Sequence, residues 1–140
     1  MNKKPSFKRI DHIGIAVRSI DATLPFYTEI LGLMLTGIET VESEGVRVAF
    51  LKIGDVQLEL LEPLSLQSTI SHYIDKYGEG IHHIALETSE IEQQMKHIVE
   101  HGGELIYDQP RTGANQTRMT FIHPRSAHSV LYELLEKKTI

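Results

Sequence analysis

The chain contains one short stretch twice: Ile10-Asp11-His12-Ile13-Gly14-Ile15-Ala16 and Gly80-Ile81-His82-His83-Ile84-Ala85-Leu86. In each, a histidine is followed by alternating branched-aliphatic and small residues, the period-two pattern of a half-buried strand with one lightly filled face. A long-range repeat constrains the fold more than any single motif, because each copy must build the same supersecondary unit. Other markers move with it. His12 and His83 lie 71 residues apart, as do Phe50-Leu51 and Phe121-Ile122, and Glu59-Leu60-Leu61-Glu62 recurs as Glu133-Leu134-Leu135-Glu136 after 74. Each half therefore opens on a strand bearing His and closes on a strand bearing Glu.

Between these markers the pattern predicts a strand over about 9 to 17, with Ile13, Ile15 and Val17 on one face and His12, Gly14 and Ala16 on the other. A helix is expected over about 22 to 31. Asp21 is its N-cap, Pro25 sits in its first turn, Leu24, Tyr27, Ile30 and Leu31 form its apolar stripe, and Gly32 ends it. Strands over Leu33 to Gly37, Val46 to Ile53 and Val56 to Glu62 follow, the last two joined by a Gly54-Asp55 turn. That order is βαβββ. Residues 64 to 80 read as a linker holding a short helix (Ile70, Tyr73, Ile74, Tyr77) closed by Gly78. The second copy predicts a strand from His82 to about 87, then a helix over about 90 to 101 with a Ser89/Glu92 capping box. Strands near 104 to 107, 117 to 122 and 129 to 135 complete it, with Gly113-Ala114-Asn115-Gln116 as a turn.

Length and charge narrow the function classes. The 140 residues carry 14 Lys and Arg against 19 Asp and Glu, so there is no basic excess to bind nucleic acid. Without cysteine there are no disulfides, no thiolate metal sites and no cysteine nucleophile. Residues 1 to 8 read as a loose start, basic at Lys3-Lys4 but followed by no apolar run. Neither a signal peptide nor a spanning helix is expected, and a cytoplasmic address is the default.

Strand parity selects the candidate chemistry. Aligning Ile84 and Leu86 with Ile13 and Ile15 makes His83, not His82, the partner of His12. By the same parity Glu59 points away from Leu58 and Leu60, and Glu133 away from Val130, Tyr132 and Leu134. An ion buried without a partner costs several kcal/mol at least. A divalent cation compensates both glutamates at once. Two imidazoles and two carboxylates without sulfur suit Zn, Co, Ni, Mn or Fe rather than calcium. The expected metal ligands are thus His12, Glu59, His83 and Glu133. His72, His97 and His101 are expected in solvent, His123 and His128 in a loop with a structural or substrate-contacting role, and Glu39, Glu42 and Glu44 in a solvated loop.

Several stretches together resemble one family over about Ile10 to Glu136: Asp11 to Val17, Phe26-Tyr27, Gly45-Val46, Leu60 to Leu64, Gly80 to Ala85, Tyr107 to Pro110, Phe121-Ile122-His123-Pro124 and Val130 to Leu134. The chain resembles the vicinal-oxygen-chelate superfamily of glyoxalases, bleomycin-resistance proteins and dioxygenases. More narrowly it looks like that superfamily's methylmalonyl-CoA epimerases. The resemblance implies an α+β fold in which two tandem βαβββ modules form a curved, partly closed mixed sheet around a metal cleft. One domain over residues 1 to 140 is expected, with modules at about 9 to 63 and 80 to 137 and the linker helix at about 64 to 79.

It also implies a metal-dependent epimerase that inverts the alpha carbon of methylmalonyl-CoA through an enolate. The same four residues would be ligands to Co, Zn, Mn or Ni, with Glu133 and Glu59 in catalysis. The position of Glu59 is glutamine in some members. Some members place a further glutamate where this chain has Val48, which leaves Glu59, a metal-bound water or Glu44 as the second base. Arg111, Arg118 and Arg125 would meet the phosphates of an acyl-CoA substrate. Neither nucleic acid nor membrane is an expected partner, and a homodimer follows only by fold analogy. The alternatives are a glyoxalase I type lactoylthiol lyase and a non-catalytic small-molecule binder of the same fold.

Overall fold

The computed structural model describes residues 4–138. Both βαβββ modules are present, and the fold is α+β. Module one runs β1 (Arg9–Ala16), α1 (Ile20–Pro25), β2 (Met34–Val41), β3 (Val46–Ile53) and β4 (Val56–Pro63). Helix α2 (Thr69–Tyr77) follows. Module two runs β5 (Gly80–Glu87), α3 (Ile91–Glu100), β6 (Arg111–Thr112), β7 (Arg118–Ile122) and β8 (Tyr132–Glu136). The chain divides into two compact units, one spanning His12–His82 and the other beginning at His83 and including the segment up to Asp11.

In the unit spanning His12–His82 the strand order is β2-β3-β4-β1. β1 runs parallel to β4, and the other pairs are antiparallel. Val17, Ile20, Ala49, Leu51 and Leu60 form its core, with Ile15, Leu24, Tyr27, Leu33 and Leu58 packed against them. The aliphatic face of β1 thus meets α1, as its alternation predicts. Leu51 and Leu60 are fully buried, each contributing on the order of 2 kcal/mol by leaving water. In the other unit the order is β5-β8-β7-β6, with β5 parallel to β8. Ile91, Met95 and Leu134 pack on the helix side of β8. Ala85, Met119 and Leu135, with Tyr107 and Phe121, fill the opposite face.

Several local expectations are corrected. Helix α1 is capped by Ser19, whose Oγ accepts the Ala22 N–H at 3.1 Å, and Asp21 lies inside the first turn. Pro25 ends that helix instead of opening it. It has no N–H to continue the i−4 ladder, and the chain goes on as a π-type turn over Phe26–Ile30, closed by Leu31 N–H to Phe26 O at 3.0 Å. The change of register leaves Ile30 and Leu31 exposed, outside the apolar stripe. Helix α2 forms as predicted, with Ser68 as N-cap and Gly78 at its end with φ +81°. The Ser89/Glu92 capping box does not form. Glu90 is the N-cap without a side-chain bond, and Glu136 takes the Ile91 N–H instead, at 2.9 Å.

The expected strand near 104 to 107 reduces to a single bridge, Leu105 to Ile122. Ile106 N–H to Phe121 O (2.8 Å) and Thr120 Oγ1 to Tyr107 O (2.7 Å) tie it down. β8 starts at Tyr132, not near 129, because His128 and Ser129 take φ of +53° and +76°, incompatible with a strand. Of the loose start expected over 1 to 8, residues 1–3 lie outside the described chain, and Lys8 is already tied to Glu87 O at 2.8 Å. β2 continues past Gly37 to Val41, which makes Glu39 a strand residue. Among the described residues no helix is long and apolar enough to cross a membrane.

Candidate metal centre

Each unit carries one histidine–glutamate pair, built the same way. In the unit spanning His12–His82, Glu59 on β4 lies between Gly14 of β1 and Phe50 of β3. His12, two residues before Gly14 on the same face, puts Nδ1 3.1 Å from Glu59 Oε2. In the other unit, Glu133 on β8 lies between Ala85 of β5 and Phe121 of β7. His83, two residues before Ala85, puts Nε2 3.0 Å from Glu133 Oε1. The small residue on one side leaves the carboxylate room. The phenylalanine on the other walls it with hydrocarbon, and the Phe121 ring meets His83 edge to face at 5.6 Å.

Burial sharpens the chemistry of both pairs. His12, Glu59, His83 and Glu133 are 4%, 5%, 5% and 7% exposed. Ionisable groups so deep are costly unless a partner compensates them. The donor atoms of each pair also stand at a distance that fits ligation. Two donors about 2.1 Å from one cation and at right angles are about 3.0 Å apart. Nitrogen and oxygen donors without sulfur match the borderline metals expected from the sequence.

His82, the residue parity set aside, packs edge to face on Tyr73 at 4.9 Å. His72 is exposed, and the His97 and His101 rings meet at 4.2 Å, tilted by 39°, at the C-terminal end of α3. His123 Nδ1 accepts the Arg125 N–H at 3.1 Å. Glu42 is exposed in a 3-10 turn after β2, as expected, but Glu44 in the same turn is half-buried with Oε2 out of solvent. Glu39 does not belong with them. Of the three arginines expected at phosphates, Arg125 pairs with Glu104 at 3.0 Å and Arg118 is held by Glu92 and Glu136. Arg111 lies over the Tyr107 ring at 4.2 Å.

Sequence reading missed the second glutamate of each repeated Glu-Leu-Leu-Glu. Glu62 Oε1 accepts the Ile20 N–H at the start of α1 (2.8 Å), and Arg47 lies 3.7 Å from its other oxygen and 3.9 Å from Asp21. Glu136 Oε1 accepts the Ile91 N–H at the start of α3, and Arg118 pairs with its other oxygen at 3.5 Å and with Glu92. The hydrogen bond from Arg118 holds the Glu92 carboxyl below its usual range. Glu59 and Glu62, three apart on one strand, point to opposite faces. One lies beside a histidine and the other pins the strand to a helix N-terminus, where an anion is favoured. Arg47 and Arg118 stand 71 residues apart, the offset that could have found this clamp.

Residues 11–121 match the profile of the Glyoxalase/Bleomycin resistance protein/Dioxygenase superfamily. The Ethylmalonyl-CoA/methylmalonyl-CoA epimerase of Cereibacter sphaeroides is 30% identical over 128 residues, 90% of this chain and 96% of its own. A solved methylmalonyl-CoA epimerase variant from Streptomyces coelicolor, in complex with 2-nitronate-propionyl-CoA, is 40% identical with a TM-score of 0.92, covering 96% of this chain and 98% of that one. A methylmalonyl-CoA epimerase in complex with methylmalonyl-CoA and NH4+ gives the same identity, coverage and TM-score. The chain belongs to the glyoxalase/bleomycin resistance protein/dioxygenase superfamily, and within it is similar over nearly its whole length to methylmalonyl-CoA epimerases.

Proposed function

We propose that this protein is a metal-dependent epimerase that inverts the alpha carbon of methylmalonyl-CoA through an enolate, with His12, Glu59, His83 and Glu133 together holding one divalent cation (Co, Zn, Mn or Ni). The observation that carries the reading is the duplicated, buried histidine–glutamate pair, for which a common cation is the simplest compensation. When bound, the cation would supply Lewis-acid stabilisation of the oxygen charge that grows as the alpha proton leaves. The chain's own residues supply the rest. Glu133 moves the alpha proton on one face, and Glu59 is the other carboxylate of the set. Phe50 and Phe121 keep water from their surroundings, where fixed charges act more strongly than in solvent. An acyl-CoA substrate accords with the ligands of the similar solved epimerases, and Arg111, over the Tyr107 ring, is one of the three arginines proposed to meet its anionic groups. A cytoplasmic address and a homodimer go with this reading, to be checked by cell fractionation and sedimentation.

The deciding experiment incubates metal-loaded protein with one epimer of methylmalonyl-CoA in deuterated water. Inversion with one solvent deuterium at the alpha carbon is expected, together with about one metal ion per chain by elemental analysis. Absence of exchange overturns the epimerase, and turnover of the methylglyoxal hemithioacetal in its place points to a lactoylthiol lyase.

A further inference from the structure

We propose that Glu39 is a catalytic acid–base residue of this site, carrying the proton on one face of the substrate's alpha carbon. The inference rests on the epimerase reading above. Inversion takes a proton from one face and returns one to the opposite face, so two-sided transfer needs a group on each.

The strand ladder puts Glu39 in position. Gly14, Glu59, Phe50 and Gly37 form one cross-strand row through β1, β4, β3 and β2, and Ala16, Leu61, Val48 and Glu39 form the next. Directly opposed residues share a face, so Glu39 stands on the face that carries His12 and Glu59. Two strand spacings and two residues of rise separate the Glu39 and Glu59 backbones by about 12 Å. Extended side chains of about 5 Å each cover most of that distance, so the Glu39 carboxylate reaches the surroundings of Glu59. Gly37 puts no side chain beside Phe50, which keeps the β2 part of that face open.

Exposure along β2 runs against its chemistry. Ile38 is 43% exposed and Thr40 is exposed, while Gly37 and Glu39 are half-buried and Val41 is buried. An acid on the covered side and an isoleucine on the open side reverse what transfer from water favours. Such reversals collect at functional positions. Of the other ionisable residues on this face, Glu59 stands beside His12 as a proposed metal ligand and Lys52 lies at the exposed end of β3. Glu44 lies in the turn after the Val41–Val46 row, outside the strand rows of this face.

The step is balanced. The alpha C–H bond breaks, its electron pair enters the enolate and its proton goes to a Glu39 carboxylate oxygen. A proton from the acid on the opposite face of the carbon then forms the new C–H bond, and the reverse direction exchanges the roles. An inward-facing acid also guards an edge strand against pairing with another chain, and the test must separate that role from catalysis.

Full-length, metal-loaded wild-type protein and Glu39→Gln are each given the two epimers separately in deuterated water. Wild type exchanges and inverts both. In Glu39→Gln, inversion falls by about 100-fold or more. One epimer still takes up deuterium without inverting and the other stays inert, with KM within about threefold of wild type. Edge protection would not produce one-sided exchange. Glu39→Asp, which keeps the charge but shortens its reach, should lower kcat while both epimers still exchange, and it serves as the check if the glutamine variant folds poorly. A wild type that inverts while Glu39→Gln exchanges both epimers alike, or inverts at the wild-type rate, overturns the assignment of Glu39 alone. A wild type that does not invert overturns the epimerase reading and this inference with it.

Discussion

The two modules are alike where they hold ionisable groups and unlike at their outer strands. Glu59 and Glu133 each lie between a small residue and a phenylalanine with a histidine 3.1 or 3.0 Å away, and Glu62 and Glu136 each pin a strand to a helix start with an arginine beside them. The outer strands have diverged. β2 has eight residues and sets Glu39 opposite Val48, whereas β6 has two and sets Arg111 opposite Met119. The lesson is a division of labour. The shared inner strands keep what a cation would require, and the outer strands differ in length and in the charge they carry, an acid at Glu39 and a cation at Arg111.

If the inner halves are equivalent, removing a donor from either should be equally severe. His12→Ala and His83→Ala should each lower activity by more than the roughly 100-fold that loss of an outer-shell metal partner costs, with metal content falling in parallel by elemental analysis. Loss of metal from only one of the two variants would break the equivalence and assign the ion to a single module. A smaller effect is expected at the clamps. Glu62→Ala and Glu136→Ala each leave a helix N-terminus without its carboxylate, costing about 1 kcal/mol, or roughly 4 °C in melting temperature for a chain of this size. Unequal losses would show that one helix is anchored elsewhere.

The smallest effect concerns Glu92, whose carboxyl is held below its usual range by the Arg118 hydrogen bond. A carboxylate with a lowered folded pKa stabilises above the ordinary carboxylate range and loses that contribution as pH falls through the lowered value. Comparing Glu92→Gln with wild type by denaturant unfolding should therefore show a small gap at neutral pH that closes under acid. Added salt should shrink it, since Glu92 is exposed. A gap that persists at low pH would mean that the side chain acts through packing.

How far the chain could be read in advance depended on whether a feature was local or paired at a distance. Alternation along β1 and β5 picked out His12 over its neighbours and His83 over His82, because a strand's two faces follow from sequence spacing alone. Composition excluded thiolate chemistry for the same direct reason. The helix starts were misread, since Asp21, Ser89 and Glu92 are local signals while the groups that bind the first N–H of each helix, Glu62 and Glu136, come from strands 42 and 45 residues away. Glu39 was misread as loop because its place depends on how far β2 pairs along β3.

The sequence alone determined the duplicated βαβββ plan and the four buried histidine and glutamate side chains, since period-two patterning and a fixed offset are carried by every copy of the chain. Tertiary structure decided which glutamate of each pair lies beside a histidine and which holds a helix, where Pro25 shifts the register of α1, and that Glu39 shares a face with Glu59. Those outcomes depend on strand register and on hydrogen bonds between distant segments, and neither is written in any one stretch of residues.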